Sequence, residues 1–282
     1  MHLNLSRVAS AVALAVLAAP AIAPAEEGPI QDNSFLIEEA YNQEPGVIQH
    51  ISSFTRTRAG AWAYSFTEEW PVLGQTHQAS VTFNYAGRPA PSATGVGDVA
   101  LNYRLQAVGS GETPVAFAPR LTALLPTGDA TRGLGTGGVG LQVNLPVSVV
   151  LSDRFVTHTN LGGTWVPSAM ASAGGRGPLS AFAAGQSFVW LAHRRVNFLA
   201  EALYTWTEVA GPAGAERSES LTVNPGVRAA FDFASGLQIV PGVSVPIGLG
   251  PSRGERGILF YLSFEHPFGP AGHTAEAGRE RT

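Results

Sequence analysis

The stretch 138–151 (GVGLQVNLPVSVVL) constrains this chain more than any other. Val139, Leu141, Val143, Leu145, Val147 and Val149 fall on one parity, and Gly140, Gln142, Asn144, Pro146 and Ser148 on the other. Such a period of two reads as a β-strand with one oily face and one small or polar face. The run outlasts the usual soluble strand of about 5–6 residues, and its proline sits badly inside a well-paired soluble sheet. A wall with lipid on one side and a watery or packed polar lumen on the other accounts for both features.

The chain opens as an export substrate. Arg7 supplies a short positive region, residues 9–19 an apolar one, and Ala21-Ile22-Ala23 or Ala23-Pro24-Ala25 the small residues for cleavage. Residues 1–25 therefore read as a signal peptide; as a membrane anchor the apolar run is too short and is broken by Pro20. Beyond it no run of about 18 apolar residues occurs, so no helix spans a membrane. With no cysteine, the chain is neither a disulfide scaffold, a thiol enzyme nor a Cys-ligated zinc protein. The net charge of -4 and the lack of any basic block exclude a nucleic-acid partner.

Residues 26–47 form an acidic leader, in which Asp32, Asn33 or Ser34 would cap a short helix through Tyr41, stopped by Pro45 and Gly46. Two readings stay open for it: a solvated lead-in, or a small plug reaching into a lumen. Residues 48–268 hold twelve alternating segments, at 48–57, 60–70, 76–86, 96–108, 113–126, 137–150, 153–166, 180–192, 195–209, 217–233, 236–248 and 256–266. They recur roughly every 17–20 residues, the repeat of barrel strands plus connections. Residues 269–282 read as a disordered polar tail.

Connections at 71–74, 109–112, 152–153, 193–194 and 234–236 read as tight turns, and those at 87–95, 127–136, 167–179, 210–216 and 250–254 as longer Gly-, Pro- and Ala-rich loops. Alternating short and long connections predict short periplasmic turns and longer external loops. Only the connection around Arg58-Ala59-Gly60 is shorter than that scheme expects. Side-chain parity sorts the charges. Val99, Leu101, Tyr103 and Leu105 oppose Asp98, Asn102, Arg104 and Gln106; Val196, Phe198, Ala200, Ala202, Tyr204 and Trp206 oppose Asn197, Glu201, Thr205 and Thr207; Val223, Val227, Ala229 and Phe231 oppose Asn224, Arg228 and Asp232. A charge at a lipid midplane costs about 2–4 kcal/mol, which explains why each lies on the non-apolar face. Aromatic girdles are expected from Trp70 and Trp190 at the periplasmic end, and from Trp165, Trp206 and Tyr85 at the external end. The fold expected is thus all-β, an antiparallel up-and-down transmembrane β-barrel of about 12 strands.

Four runs carry a family resemblance: GVGDVALNYRL (95–105), PRLTALLPTGD (119–129), GLGTGGVGLQVNLP (133–146) and HTNLGG (158–163). Over residues 34–268 the chain resembles the bacterial outer-membrane proteins known as "transporter" or "MetA-pathway of phenol degradation" proteins. The resemblance implies an outer-membrane barrel linked, in some members, to uptake of aromatic or other apolar compounds, and it assigns no functional residues. The last strand, GILFYLSFEHPF (257–268), resembles the carboxy-terminal signal by which barrels reach the outer-membrane assembly machinery, except that a polar tail follows it. The expected partners are this machinery, outer-membrane lipid and a small-molecule solute.

Enzyme signals are scarce. No H-E-x-x-H, G-x-S-x-G or P-loop occurs, and the glycine-rich run 133–138 lacks the strand–turn–helix context of a phosphate cradle. No catalytic residue, cofactor or metal site is assigned. A barrel hydrolase would need a serine and a histidine in hydrogen-bond reach, and His158 is the one histidine well inside a strand; it reads first as a polar lining residue. Asp98, Arg104, Arg120, Arg154, His158, Glu201, Arg228 and Asp232 are the expected lumen lining. Glu201 and Arg228 are the expected counter-charge and companion of Arg104 and Arg120 across the lumen. These charges either hold the barrel shut or form a constriction that sorts solutes. A passive channel for small, aromatic or apolar molecules and a non-transporting barrel, structural or hydrolytic, remain the two readings.

Overall fold

A computed structural model describes residues 30–31, 34–172, 174–211 and 214–268. The signal peptide, Asp32, Asn33 and the tail 269–282 lie outside the described residues. The alternating segments form twelve antiparallel strands. They are β1 (Val47–Thr57), β2 (Trp62–Val72), β3 (His77–Pro89), β4 (Ser92–Val96 and Val99–Leu105), β5 (Val115–Phe117 and Arg120–Leu125), β6 (Gly140–Asn144 and Val147–Ser152), β7 (Phe155–Met170), β8 (Arg176–His193), β9 (Val196–Gly211), β10 (Gly214–Ala229 and Phe231–Asp232), β11 (Gln238–Ser244 and Ile247–Leu249) and β12 (Gly257–Pro267).

Each strand pairs with the next, and β1 pairs with β12 from Val47–Pro267 to Thr57–Gly257. The sheet is a closed twelve-stranded antiparallel barrel, and closure removes the unpaired edges that an open sheet would expose. The two rims differ: one carries Val47 and Pro267, hereafter the terminal rim, and the other carries the connection 126–139.

The period of two survives into three dimensions. Leu101, Tyr103, Leu141, Val143, Phe188 and Phe198 are exposed on the outside, whereas Asn102, Arg104, Ser148, Glu201 and Asn224 are buried inside. Trp70 and Trp190 lie toward the terminal rim, and Tyr85, Trp165 and Trp206 toward the opposite one. An exterior this apolar is costly in water and suited to hydrocarbon.

Proline breaks several strands without opening the wall. β5 breaks at 118–119, β6 at 145–146 and β11 at 245–246. Pro119 and Pro146 lack an N–H but keep a carbonyl. Leu105 donates to the Pro119 oxygen (3.0 Å), Ala118 to the Pro146 oxygen (3.3 Å), and Leu145 to the Leu161 oxygen (2.9 Å), so the ladder continues across the breaks.

Two local expectations fail. The supposed loops 87–95, 167–179 and 210–216 are mostly strand: β3 and β4 pair up to Pro89–Ser92, β7 and β8 to Met170–Arg176, and β9 and β10 to Gly211–Gly214. Ladder hydrogen bonds are made by the backbone, so a Gly-, Pro- and Ala-rich segment still pairs when the hairpin below fixes its register. Short and long connections consequently do not alternate; 126–139 is the long one at its rim, and at the terminal rim the stretch 106–114 is longer than the tight turn expected at 109–112. The second failure is the leader helix. Residues 34–44 run without helix through the barrel interior, because wall side chains take the N–H groups that a helix would bond internally.

Candidate functional site: the leader inside the barrel

The leader is held at both of its ends by inward-facing side chains. At its start, the N–H groups of Phe35 (3.0 Å), Leu36 (3.0 Å) and Ile37 (3.2 Å) all donate to Oε1 of Glu201 on β9. The Glu201 carboxylate also accepts from Asn224 Nδ2 at 2.7 Å. Among the described residues no cation is bonded to Glu201, and a buried carboxylate of that kind is tolerable only when donors fill its lone pairs, as here. Apolar knobs complete this hold. A Cβ on Gly226 or on Gly242 would stand 2.5 Å from the Phe35 ring, and one on Gly185 would collide with Ile37 Cδ1. These three glycines make recesses in the wall that the leader fills.

Further along, the leader supplies the negative charge and the wall the positive. Arg104 on β4 and Arg120 on β5 are direct register partners, and like charges so placed repel. Glu38 of the leader resolves the conflict: Arg120 Nε donates to its Oε2 at 2.9 Å and Arg104 Nη1 to its Oε1 at 3.2 Å. Asn144 Nδ2 adds a bond to Oε2 at 2.7 Å. Burial pushes the Glu38 carboxyl up, but the Arg120 and Arg104 guanidiniums beside it outweigh that and hold it below the ordinary carboxylate value. Arg104 also donates to the Asn42 side chain (2.8 Å) and the Tyr41 carbonyl, and pairs with Glu69 at 3.6 Å.

Leader backbone groups meet wall side chains throughout this stretch. Glu38 N–H donates to Asn160 Oδ1, Ala40 N–H to Ser148 Oγ and Asn42 N–H to Gln106 Oε1, each at 2.8 Å, and Gln43 N–H to Gln78 Oε1 at 2.7 Å. The wall thus does for the leader what a neighbouring strand does in a sheet, which satisfies a buried irregular backbone.

The eight residues read from the sequence as lumen lining divide accordingly. Arg104, Arg120 and Glu201 hold the leader directly. Arg228 is buried on β10 and donates to the Ile30 carbonyl at 3.2 Å. His158 is fully buried, with Nδ1 2.8 Å from Ser148 Oγ and Nε2 3.1 Å from the Gln31 carbonyl. The other three do not join them. Asp98 accepts from Gly128 N–H (3.0 Å) and Thr136 N–H (2.7 Å), and so staples the connection 126–139. Arg154 is exposed in the turn between β6 and β7, because that strand ends before it. Asp232 accepts from Gln238 Nε2 at 2.8 Å where β10 ends. The expected counter-charges are also corrected. Glu38 and Glu69, rather than Glu201, neutralise Arg104 and Arg120, since the leader lies between the arginines and the far wall. Glu69 was legible from β2 parity, but the adjacent Glu68 masked it.

The interior is not uniformly polar. Val156, Val189, Leu191 and Leu199 form an inward apolar cluster against Phe35 and Val150, and Ala230, Val240, Leu259 and Tyr261 form a second against Ile30, Phe35, Leu36 and Ile51.

No family model matches the chain, and no curated protein matches it in sequence. Solved structures do share its fold. The COG4313 outer membrane channel from Pseudomonas putida F1 superposes with a TM-score of 0.58 at 15% identity, over 85% of this chain and 100% of that one. The NanC porin superposes with a TM-score of 0.53 at 7% identity, over 78% of this chain and 100% of that one.

Proposed function

We propose that this protein is a passive channel of the bacterial outer membrane for small molecules, narrowed by its own leader. The observation that carries the reading is the pairing of an apolar exterior with an interior in which Arg104 and Arg120 are clamped to Glu38 of a segment that is not part of the wall. A structural barrel needs no separate segment there. A pore that must stay tight until a solute competes for the same groups does. The membrane placement is supported by the exposed apolar belt and by a fold shared with a porin and an outer membrane channel. The terminal rim is the periplasmic one in this reading, and the rim of 126–139 faces outward.

The solutes proposed are small aromatic or amphipathic molecules, in line with the sequence resemblance to the phenol-degradation family. One side of the lumen offers Val156, Val189, Leu191 and Leu199 to a ring, and the other offers Arg104 and Arg120 to a polar or anionic substituent. Charges in a confined passage dominate which solutes enter.

The hydrolase alternative gains a serine–histidine pair, Ser148 and His158, but both are fully buried beneath the leader, and Ser148 Oγ already accepts the Ala40 N–H. A nucleophile needs an approach path for its substrate, so this pair supports positioning of the leader.

Planar-bilayer recording tests the proposal. The full chain should give small, steady single-channel currents, and removal of residues 26–44 should raise conductance several-fold. Silence from both forms, with the barrel folded, sinks the channel reading; equal conductance from both sinks the plug.

A further inference from the structure

We propose that the outer face of the β1–β12 seam, at the rim opposite Val47 and Pro267, binds the phosphates of a phosphorylated glycolipid of the lipid A class. One step beyond the last register pair, Thr57–Gly257, the Arg58 N–H donates to the Arg256 carbonyl at 2.7 Å. Arg58 and Arg256 therefore oppose each other across the seam. Arg56, on the outward parity with its register partner Ile258, stands one pleat below. All three arginines are exposed, and among the described residues no carboxylate pairs with any of them.

Directly opposed like charges destabilise a sheet. The molecule contains a second such pair, Arg104–Arg120 inside the barrel, and there a carboxylate is placed between the two guanidiniums. The outer pair has the same conflict without an internal anion, which points to an external one. Its surroundings say which kind. Immediately below the arginines the wall exposes Ile258, Phe260 and Tyr64, so the cluster sits at the upper border of the apolar belt. An anion bound there has apolar surface beneath it, which fits a headgroup phosphate with acyl chains rather than free phosphate. Arginine forks bind phosphate oxygens two at a time, and three of them suit a multiply phosphorylated headgroup. The lipid is assigned to the outer leaflet from the membrane orientation proposed above; the channel reading plays no part.

The test is lipid retention by the detergent-purified full chain, measured by native mass spectrometry against lipid A, dephosphorylated lipid A and phosphatidylglycerol. The wild type should hold lipid A about tenfold more than either of the others. The R56Q/R58Q/R256Q variant should lose that preference, while Arg154→Gln at the opposite rim should keep it. Heat-modifiable migration checks that each barrel is folded, and the single variants R58Q and R256Q, each expected to lose several-fold, stand in should the triple variant not assemble. Equal retention by wild type and triple variant, or equal binding of phosphatidylglycerol and lipid A, overturns the site. Orientation is read separately: Ala59→Cys, at an exposed turn position of the same rim, should react on intact cells with a membrane-impermeant maleimide, and a protected thiol would refute the outer-leaflet assignment even if lipid A binds in detergent.

Discussion

On the β8–β10 wall the leader is gripped by one carboxylate and the two recesses at Gly185 and Gly226; on the β3–β7 wall it is gripped by two arginines and a row of amides. The first wall consists of long strands, 16 to 18 residues in β8, β9 and the main part of β10. The second includes β4, β5 and β6, each broken into short pieces. In the first grip the wall presents the anion and the leader presents N–H dipoles. In the second the leader presents the anion, Glu38, and the wall presents cations. The two grips therefore respond to different perturbations. Shape decides the first, because Phe35 and Ile37 must enter recesses that any Cβ would fill. Charge decides the second, because Arg104 and Arg120 oppose each other and Glu38 lies between them and pairs with both.

The largest expected effect breaks the charged grip. Arg104→Ala leaves the largely buried Glu69 without its cation and Glu38 with Arg120 alone, and removing one partner of a buried pair costs up to about 3–5 kcal/mol. Urea unfolding in liposomes should show this loss. The double variant E38A/R104A should cost clearly less than the sum of its parts, as coupled neighbours do. Strict additivity would mean that Glu38 and Arg104 do not depend on each other.

Next in size is a check that both walls share one inside–outside parity. Val143→Arg on the broken wall and Ala200→Arg on the unbroken one should each impair assembly by about 2–4 kcal/mol, the cost of a charge near the lipid midplane. Gln142→Arg, which points inward toward Arg120 and Thr164, should be tolerated better. Equal folded yields at 142 and 143 would show that the parity is misassigned.

The shaped grip should yield to a smaller perturbation. Gly185→Leu overfills the Ile37 recess, and overpacking typically costs about 1–3 kcal/mol. The chain has no native cysteine, so single-cysteine reporters are clean. In the Gly185→Leu background Leu36→Cys should label faster while Ala40→Cys stays protected. If both positions gain reactivity together, the leader releases as one body and the two grips are not independent.

The smallest effect expected is of pH. The Glu38 carboxyl is held below its ordinary 4.5. A group lowered in the folded state contributes stability that is fully present above the ordinary value and is lost as pH falls through the lowered one. Read with 4,4′-dithiodipyridine, which captures thiols in acid, Ala40→Cys should therefore remain protected at neutral pH and through the range where free carboxylates protonate, and become accessible only in stronger acid. In Glu38→Gln, protection should be weaker and independent of acid over the same range. Release already complete at pH 5 would contradict the assignment of Glu38 to the arginines.

Which face of each strand points in could be read from the residues alone, because the period of two is a property of consecutive residues and needs no partner. Twelve strands, the outward set around Leu141 and Val143, and the inward Arg104, Arg120, His158, Glu201 and Arg228 were all legible that way. Where the strands stop was not. Glycines, prolines and alanines at 87–95, 167–179 and 210–216 weaken local strand preference, yet the backbone ladder carries pairing through them once the hairpin below is in register. Arg154 fell into a turn and Asp98 into the break within β4, because a strand also stops where its ladder partners do, which parity does not show. What the inward charges meet was set by the closed barrel. Glu38 lies 66 residues from Arg104 and 82 from Arg120, and Leu36 lies 165 from Glu201. Such contacts depend on strand height and on the route of the leader through the closed barrel, and neither is written in any local pattern.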